Sequence, residues 1–144
     1  MNYLADVNVW IALAVVGHVH HSVALAWFEE PQTDQILFSR VTQMGLLRLL
    51  TNRKVMGANV LTPADAWRVY ASLADDDRVQ YAEEPSHLED GWREAAMHPG
   101  AGPNFWTDAY LAAFAEAGDY TIVTFDRGFR RHRGVSVRLL APAV

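Results

Sequence analysis

A short apolar run that ends in a lone acid dictates how the chain must begin. Tyr3-Leu4-Ala5 leads into Asp6, Asn8 stands two residues on, and a helical apolar pattern follows. That is the pattern of a buried strand delivering one carboxylate to its carboxyl end, where open α/β sheets place their ligand sites. Asp6 is equally suited to capping the next helix, since a carboxylate before an apolar run accepts from the free N–H groups of the first turn. The choice between these uses turns on two later acids.

The rest of the chain alternates strand and helix patterns. Val9 to Val16 reads as a short apolar helix ending at Gly17, and His18 to Ser22 links it to a second helix, Val23 to Glu29, stopped by Pro31. Ile36-Leu37-Phe38 reads as a strand. From Ser39 or Arg40 a longer helix carries Val41, Met44, Leu47 and Leu50 at 3- and 4-residue spacing, a core stripe. Asn52 to Asn59 reads as a loop. Thr62-Pro63-Ala64-Asp65 is a helix start with cap, proline and first-turn acid in place, and that helix stops at Asp75-Asp76-Asp77.

Arg78 to Ala82 alternates like a third strand. Ser86 and Glu89 have the spacing of a capping box for a helix through Leu88, Trp92 and Ala96. After a Pro/Gly loop from His98 to Pro103, Asn104 is placed to cap a helix from Phe105 to Ala117, which Gly118 ends. Thr121 to Phe125 and Val135 to Leu140 supply two final strands. Strands alternating with helices predict a three-layer α/β/α fold around a mostly parallel sheet.

Composition bounds the class. A length of 144 residues fits a single domain, residues 1–144, able to bury about two-thirds of its unfolded surface. The absence of cysteine removes disulfides, thiolate metal sites and thiol nucleophiles, and suits a reducing cytoplasm. Val9 to Val16 is wholly apolar, but a membrane span takes about 20 residues, so no membrane association is expected.

The net charge of −5 argues against broad non-specific nucleic-acid binding. Its distribution says more. Residues 35–64 carry Arg40, Arg48, Arg53 and Lys54 with no acid, and residues 127–144 carry Arg127, Arg130, Arg131, Arg133 and Arg138, again with none. Clustered bases on an acidic chain are expected where one face meets a polyanion, although solvated helix faces give the same pattern.

In a parallel sheet every strand's carboxyl end, and the N-terminus of each returning helix, lies on one edge. Asp6 ends the first strand, Asp126 follows the strand Thr121 to Phe125, and Asp108 lies in the first turn or so of the helix from Phe105. The three therefore converge. Three carboxylates that close raise one another's pKa and call for a cation. Oxygen ligands without His or Cys favour Mg²⁺ or Mn²⁺, with positions left for water and a substrate phosphate. Metal-assisted phosphodiester hydrolysis follows from that chemistry. Arg40, Arg48 and Arg127 are placed near the same edge to meet phosphates, and each is also an ordinary surface arginine.

Taken together, LADVNVW, SRVTQMGLLRLLTN, WTDAYLAAFAEA and TIVTFDRGF resemble PIN-domain ribonucleases, specifically VapC-type toxins of toxin–antitoxin pairs. The resemblance spans nearly the whole chain and keeps the order of elements. It implies strand order 3-2-1-4-5, a metal-dependent endoribonuclease acting on RNA such as transfer RNA, a small antitoxin partner that blocks the site, and a homodimer. Residue by residue, Asp6, Asp108 and Asp126 match the family's acidic positions, Asn8 the small polar residue supporting the first Asp, and Thr124 the hydroxyl before the last.

One departure stands out. Members commonly carry a Glu in the helix after the second strand, where this chain has Gly45, and no acid between residues 35 and 64 replaces it. Glycine inside a helix costs about 1 kcal/mol against alanine, so Gly45 is expected to serve close packing or close substrate approach. Arg48, one turn on, is expected to reach toward substrate phosphate.

Two alternatives remain. A non-catalytic module of the same fold would explain the missing Glu. A phosphatase with Asp6 as nucleophile generally wants a second Asp two residues on, where this chain has Asn8. The histidines His18, His20 and His21 suggest a metal cluster but lack a fourth ligand, and the five tryptophans read as packing, with Trp106, beside Asp108, the one placed to contact RNA.

Overall fold

Each short apolar run becomes a strand, and the stretches between them become the helices that cover it. A computed structural model describes residues 1–30, 34–100 and 102–141. Its strands are β1 (Asn2–Ala5), β2 (Ile36–Phe38), β3 (Val79–Tyr81), β4 (Tyr120–Thr124) and β5 (Ser136–Leu139). They form one sheet in the order 3-2-1-4-5 with every neighbouring pair parallel, as the family resemblance implied. The helices are α1 (Val7–Ala14), α2 (His21–Phe28), α3 (Arg40–Leu50), α4 (Arg53–Met56), α5 (Pro63–Ala74), α6 (Leu88–Ala95) and α7 (Phe105–Gly118).

Both faces of the sheet are buried, because side chains alternate along each strand. Tyr3, Ala5, Ile36, Phe38 and Val123 face one way and pack with Trp10 of α1, Trp27 of α2 and Leu46 and Leu50 of α3. Leu4, Leu37 and Ile122 face the other way, against Leu88 of α6 and Leu111 and Phe114 of α7. The stacked rings of Trp10 and Phe38, centroids 3.7 Å apart, fill the first layer. Among the described residues no helix is long and apolar enough to cross a membrane.

Several boundaries differ from the sequence expectation, each for a local reason. α1 starts at Val7, because Asp6 itself caps it, and the chain leaves the helix at Val15, two residues before Gly17. The expected loop 52–59 holds α4, capped by the Asn52 side chain accepting from the Lys54 N–H at 2.9 Å, then a 3₁₀ turn over Gly57–Asn59. Ser86 and Glu89 form no capping box. His87, in left-handed conformation at φ 61°, precedes α6 without a side-chain cap. Asn104 likewise precedes α7 without one. Gly118 is the last residue of α7, and a Cβ there would lie 2.3 Å from the Tyr120 ring, so any other residue would have to displace that ring. The helix stop read at Pro31 lies outside the described residues.

Candidate active site

The carboxyl ends of β1 and β4 are clasped together by three side chains. β1 and β4 pair in register up to Ala5 and Val123, so Asp6 and Thr124 leave the sheet side by side. The Thr124 hydroxyl, wholly buried, donates to Asp6 Oδ2 at 2.8 Å and accepts from the Asp126 N–H at 3.0 Å and Asn8 Nδ2 at 3.3 Å. Asn8 Oδ1 in turn accepts from the Phe125 N–H at 3.3 Å. Asp6 Oδ1 accepts from the Val7 N–H at 2.7 Å. Capping and site placement are therefore one arrangement: the bond that starts α1 also fixes the carboxylate's direction.

Asp6, Asn8, Asp108 and Asp126 line a cleft of about 570 Å³ at this edge. Asp108 enters it from the first turn of α7, and exposed Asp126 from the loop after β4, where its Oδ1 accepts from the Gly128 N–H at 2.8 Å. The opposite wall belongs to α3 and α1, with Val7, Ile11, Val41 and Leu49 making it largely apolar.

The electrostatics record the crowding. Burial, then the charges of Asp6 and Asp126, push Asp108 from its ordinary 3.8 up to about 7, against a lowering pull from Arg131. Burial also raises Asp6, with Asp126 adding to the effect and the Thr124 and Val7 hydrogen bonds opposing it. Both shifts mark a site that lacks positive charge.

Among the described residues no group of three or more His, Asp or Glu side chains is arranged to hold an ion by itself. Carboxylates along one wall of a cleft this size instead fit a hard divalent cation that keeps several of its waters, as Mg²⁺ does; they do not fit a protein-only cage. The same observation applies to His18, His20 and His21. His20 stacks on Phe125 at 4.7 Å, and His21 Nδ1 lies 2.8 Å from the Ala12 carbonyl oxygen, so these rings serve packing.

Of the three arginines expected near this edge, Arg48 lines the cleft; Arg40 and Arg127 do not. Arg40 lies over the Tyr81 ring at 4.5 Å and donates to Gln43. Arg127 is exposed on a 3₁₀ turn beyond Asp126. Asn104 and Thr107 also line the cleft, and neither was singled out for it from sequence. The available signal was helical spacing: positions 104, 107, 108 and 111 share one flank of α7.

Gly45 lines the cleft too, and there a Cβ would stand 3.0 Å from Val7 Cγ2. Its bare backbone lets α3 lie close against the start of α1, which is the close-packing role expected of it. A larger groove of about 640 Å³ lies between α6, α7 and the approach to β5. Its Glu94, Glu116, Arg131 and Arg133 mix both signs of charge, so it selects no single ligand chemistry.

With that geometry in place, likeness to known proteins becomes informative. The PIN domain family model matches residues 3–135. The chain belongs to the PIN-domain family. Within it the chain is 47% identical over 143 residues to ribonuclease VapC41 of Mycobacterium tuberculosis, covering 96% of this chain and 98% of that one. The fold of this PIN domain matches VapBC2 from Rickettsia felis, bound to a promoter DNA fragment, with a TM-score of 0.71 at 14% identity, covering 98% of this chain and 100% of that one. It also matches M. tuberculosis VapC20, a Sarcin-Ricin loop cleaving toxin, at a TM-score of 0.69 and 21% identity, covering 95% and 99%. At those identities the two structures speak for the fold alone.

Proposed function

We propose that this PIN domain is a ribonuclease toxin that hydrolyses RNA phosphodiester bonds with a Mg²⁺ or Mn²⁺ ion held by Asp6, Asp108 and Asp126. The observation that carries the reading is the meeting of those carboxylates in one cleft, where burial and then the charges of Asp6 and Asp126 bring Asp108 to about 7. A divalent ion bound there supplies Lewis acidity, making a water acidic enough to attack phosphorus and offsetting charge on the phosphate oxygens.

The chain's own residues do the rest. Thr124 and the Val7 N–H hold Asp6 in one direction, and Asn8 keeps Thr124 and the backbone before Asp126 in place. Without a metal Asp108, raised to about 7, is about half protonated near neutral pH, and positive charge in the cleft would release that proton. The apolar wall limits competing water. Arg48, whose Nη2 rests on Met44 Sδ at 3.5 Å, has no carboxylate partner among the described residues and is positioned to meet a phosphate.

The absence of a carboxylate at Gly45 leaves the cation held by three acids and water. It does not favour the inactive-module reading, since the remaining acids still converge on one cleft. The phosphatase reading gains nothing, because Asn8 is committed to Thr124 and Phe125 and offers no proton-transfer group.

The purified protein should cleave structured RNA, transfer RNA being the first to try, in Mg²⁺ or Mn²⁺ and lose all activity in chelator. Cleavage that survives chelator would overturn the metal assignment. Arg48→Ala should raise KM about 5- to 10-fold, the size of one partly solvated charged hydrogen bond, with kcat little changed. An unchanged KM would remove Arg48 from substrate binding. A small antitoxin that blocks the cleft, and assembly as a homodimer, belong to the same proposal as what membership of the family implies.

A further inference from the structure

Trp106 leaves 65% of its surface exposed, although it shares the first turn of α7 with Thr107 and Asp108, which line the cleft together with Asn104 just before the helix. An indole this exposed at the rim of a cleft is an aromatic surface available to a partner. Its setting is rigid. The Trp106 carbonyl accepts from Trp92 Nε1 at 3.1 Å, tying α6 to α7. Phe105 packs edge-on against its ring, centroids 5.3 Å apart at 81°.

Trp106 and Trp92 flank a groove of about 490 Å³ completed by Glu89, Arg93 and Ala96. Arg93 and Glu89 are paired to each other at 3.1 Å, so the groove presents no net charge. A phosphate or a cation would find no counter-charge there. A flat, neutral aromatic ring would find an indole face and an apolar floor.

We propose that this groove is a nucleobase subsite, in which one base of the RNA stacks on Trp106 while a neighbouring phosphate lies among Asp6, Asp108 and Asp126. The proposal rests on the ribonuclease reading and adds to it a residue that holds substrate outside the reacting centre. Positions 106 and 108 lie on opposite flanks of the first turn of α7, so the RNA strand crosses over the start of that helix. Stacking tolerates any base, because every base has a π face, and is worth about 5- to 100-fold in affinity for one base.

The test is equilibrium binding of a short, mixed-sequence single-stranded oligoribonucleotide and of its abasic counterpart, which keeps the phosphates. It is made in an Asp6→Asn background, and again in otherwise unchanged protein under chelator, so that nothing is cut. Trp106→Ala should weaken binding of the normal oligonucleotide about 5- to 100-fold and leave the abasic one unchanged, while Trp106→Phe stays within about 3-fold. Trp67→Ala, which removes an exposed indole on α5, should change neither.

An equal loss on both oligonucleotides, or no loss on either, overturns the subsite. So does a change in the sedimentation of the free protein on Trp106→Ala, which would assign this face to a second protein copy. Binding that depends on Trp106 in a protein that cuts no RNA would sink the ribonuclease reading and leave the subsite standing.

Discussion

Asp6→Asn should abolish metal-dependent RNA cleavage, a fall on the order of 10³-fold or more in kcat/KM, in a protein that stays folded. The substitution keeps the shape of the side chain and removes its charge. The Asn carbonyl oxygen can accept from either the Val7 N–H or the Thr124 hydroxyl but not both, and Thr124 Oγ1, which already accepts twice, cannot take the new amide, so one hydrogen bond is lost. The removed charge also relieves repulsion on Asp108. The lost bond offsets part of that relief, so stability should stay within about 1–2 kcal/mol of the original while activity disappears. Cleavage within about 10-fold of the original, in a preparation with an unchanged melting curve, would exclude Asp6 from the chemistry.

The second large effect is on stability. Asp108 has its folded pKa raised from 3.8 to about 7, so the folded state binds that proton more tightly than the unfolded state. Its contribution is full below about pH 4, declines as pH climbs to about 7, and is constant above. Asp6 is shifted the same way and adds to the decline. In chelator the protein should lose melting temperature across this window, and Asp108→Asn should recover part of it. Solvent at the cleft mouth screens some of the repulsion, so the recovery at neutral pH should be roughly 5 °C, with little difference near pH 4. A variant no more stable than the original at neutral pH would show that burial and the neighbouring acids do not disfavour charge on Asp108. The same cost makes the site unstable when empty and receptive to a divalent ion when folded.

Much of this organisation was legible in the chain. Tyr3-Leu4-Ala5-Asp6 read as a strand with an acid at its end, and Thr62-Pro63 marked the start of α5 at the residue where the helix begins. Parallel topology then placed Asp6, Asp108 and Asp126 on one edge, because that follows from element order alone. What was not legible depended on contacts between elements. Ser86 and Glu89 have the right spacing for a capping box, but the backbone turns left-handed at His87 and α6 starts at Leu88, so Ser86 stands one residue too early to cap it and Glu89 falls at its second position. Arg40 lies in the same basic stretch as Arg48, yet it settles over Tyr81 because β2 and β3 are neighbours.

Trp67 read as packing, whereas its ring is largely exposed; Trp106, the one tryptophan read as placed to contact RNA, is exposed as well. A tryptophan count cannot say which rings find a core. Arg131 is the remaining omission. It stands in an undifferentiated run of arginines, and only the fold brings its charge to bear on Asp108. Gly45 shows the reverse case, in which a helix-weakening residue was noticed in sequence and its reason, Val7 at 3.0 Å, emerged from the packing of α3 on α1.

Calorimetric titration of the metal-free protein with Mn²⁺ tests the central claim most directly, run beside Asp6→Asn, Asp108→Asn and Asp126→Asn. Shared ligation predicts a single binding event per chain, accompanied by proton release near neutral pH, that each of the three substitutions weakens strongly. Mn²⁺ binding that is indifferent to any one of them, or absent from the unaltered protein, would contradict it.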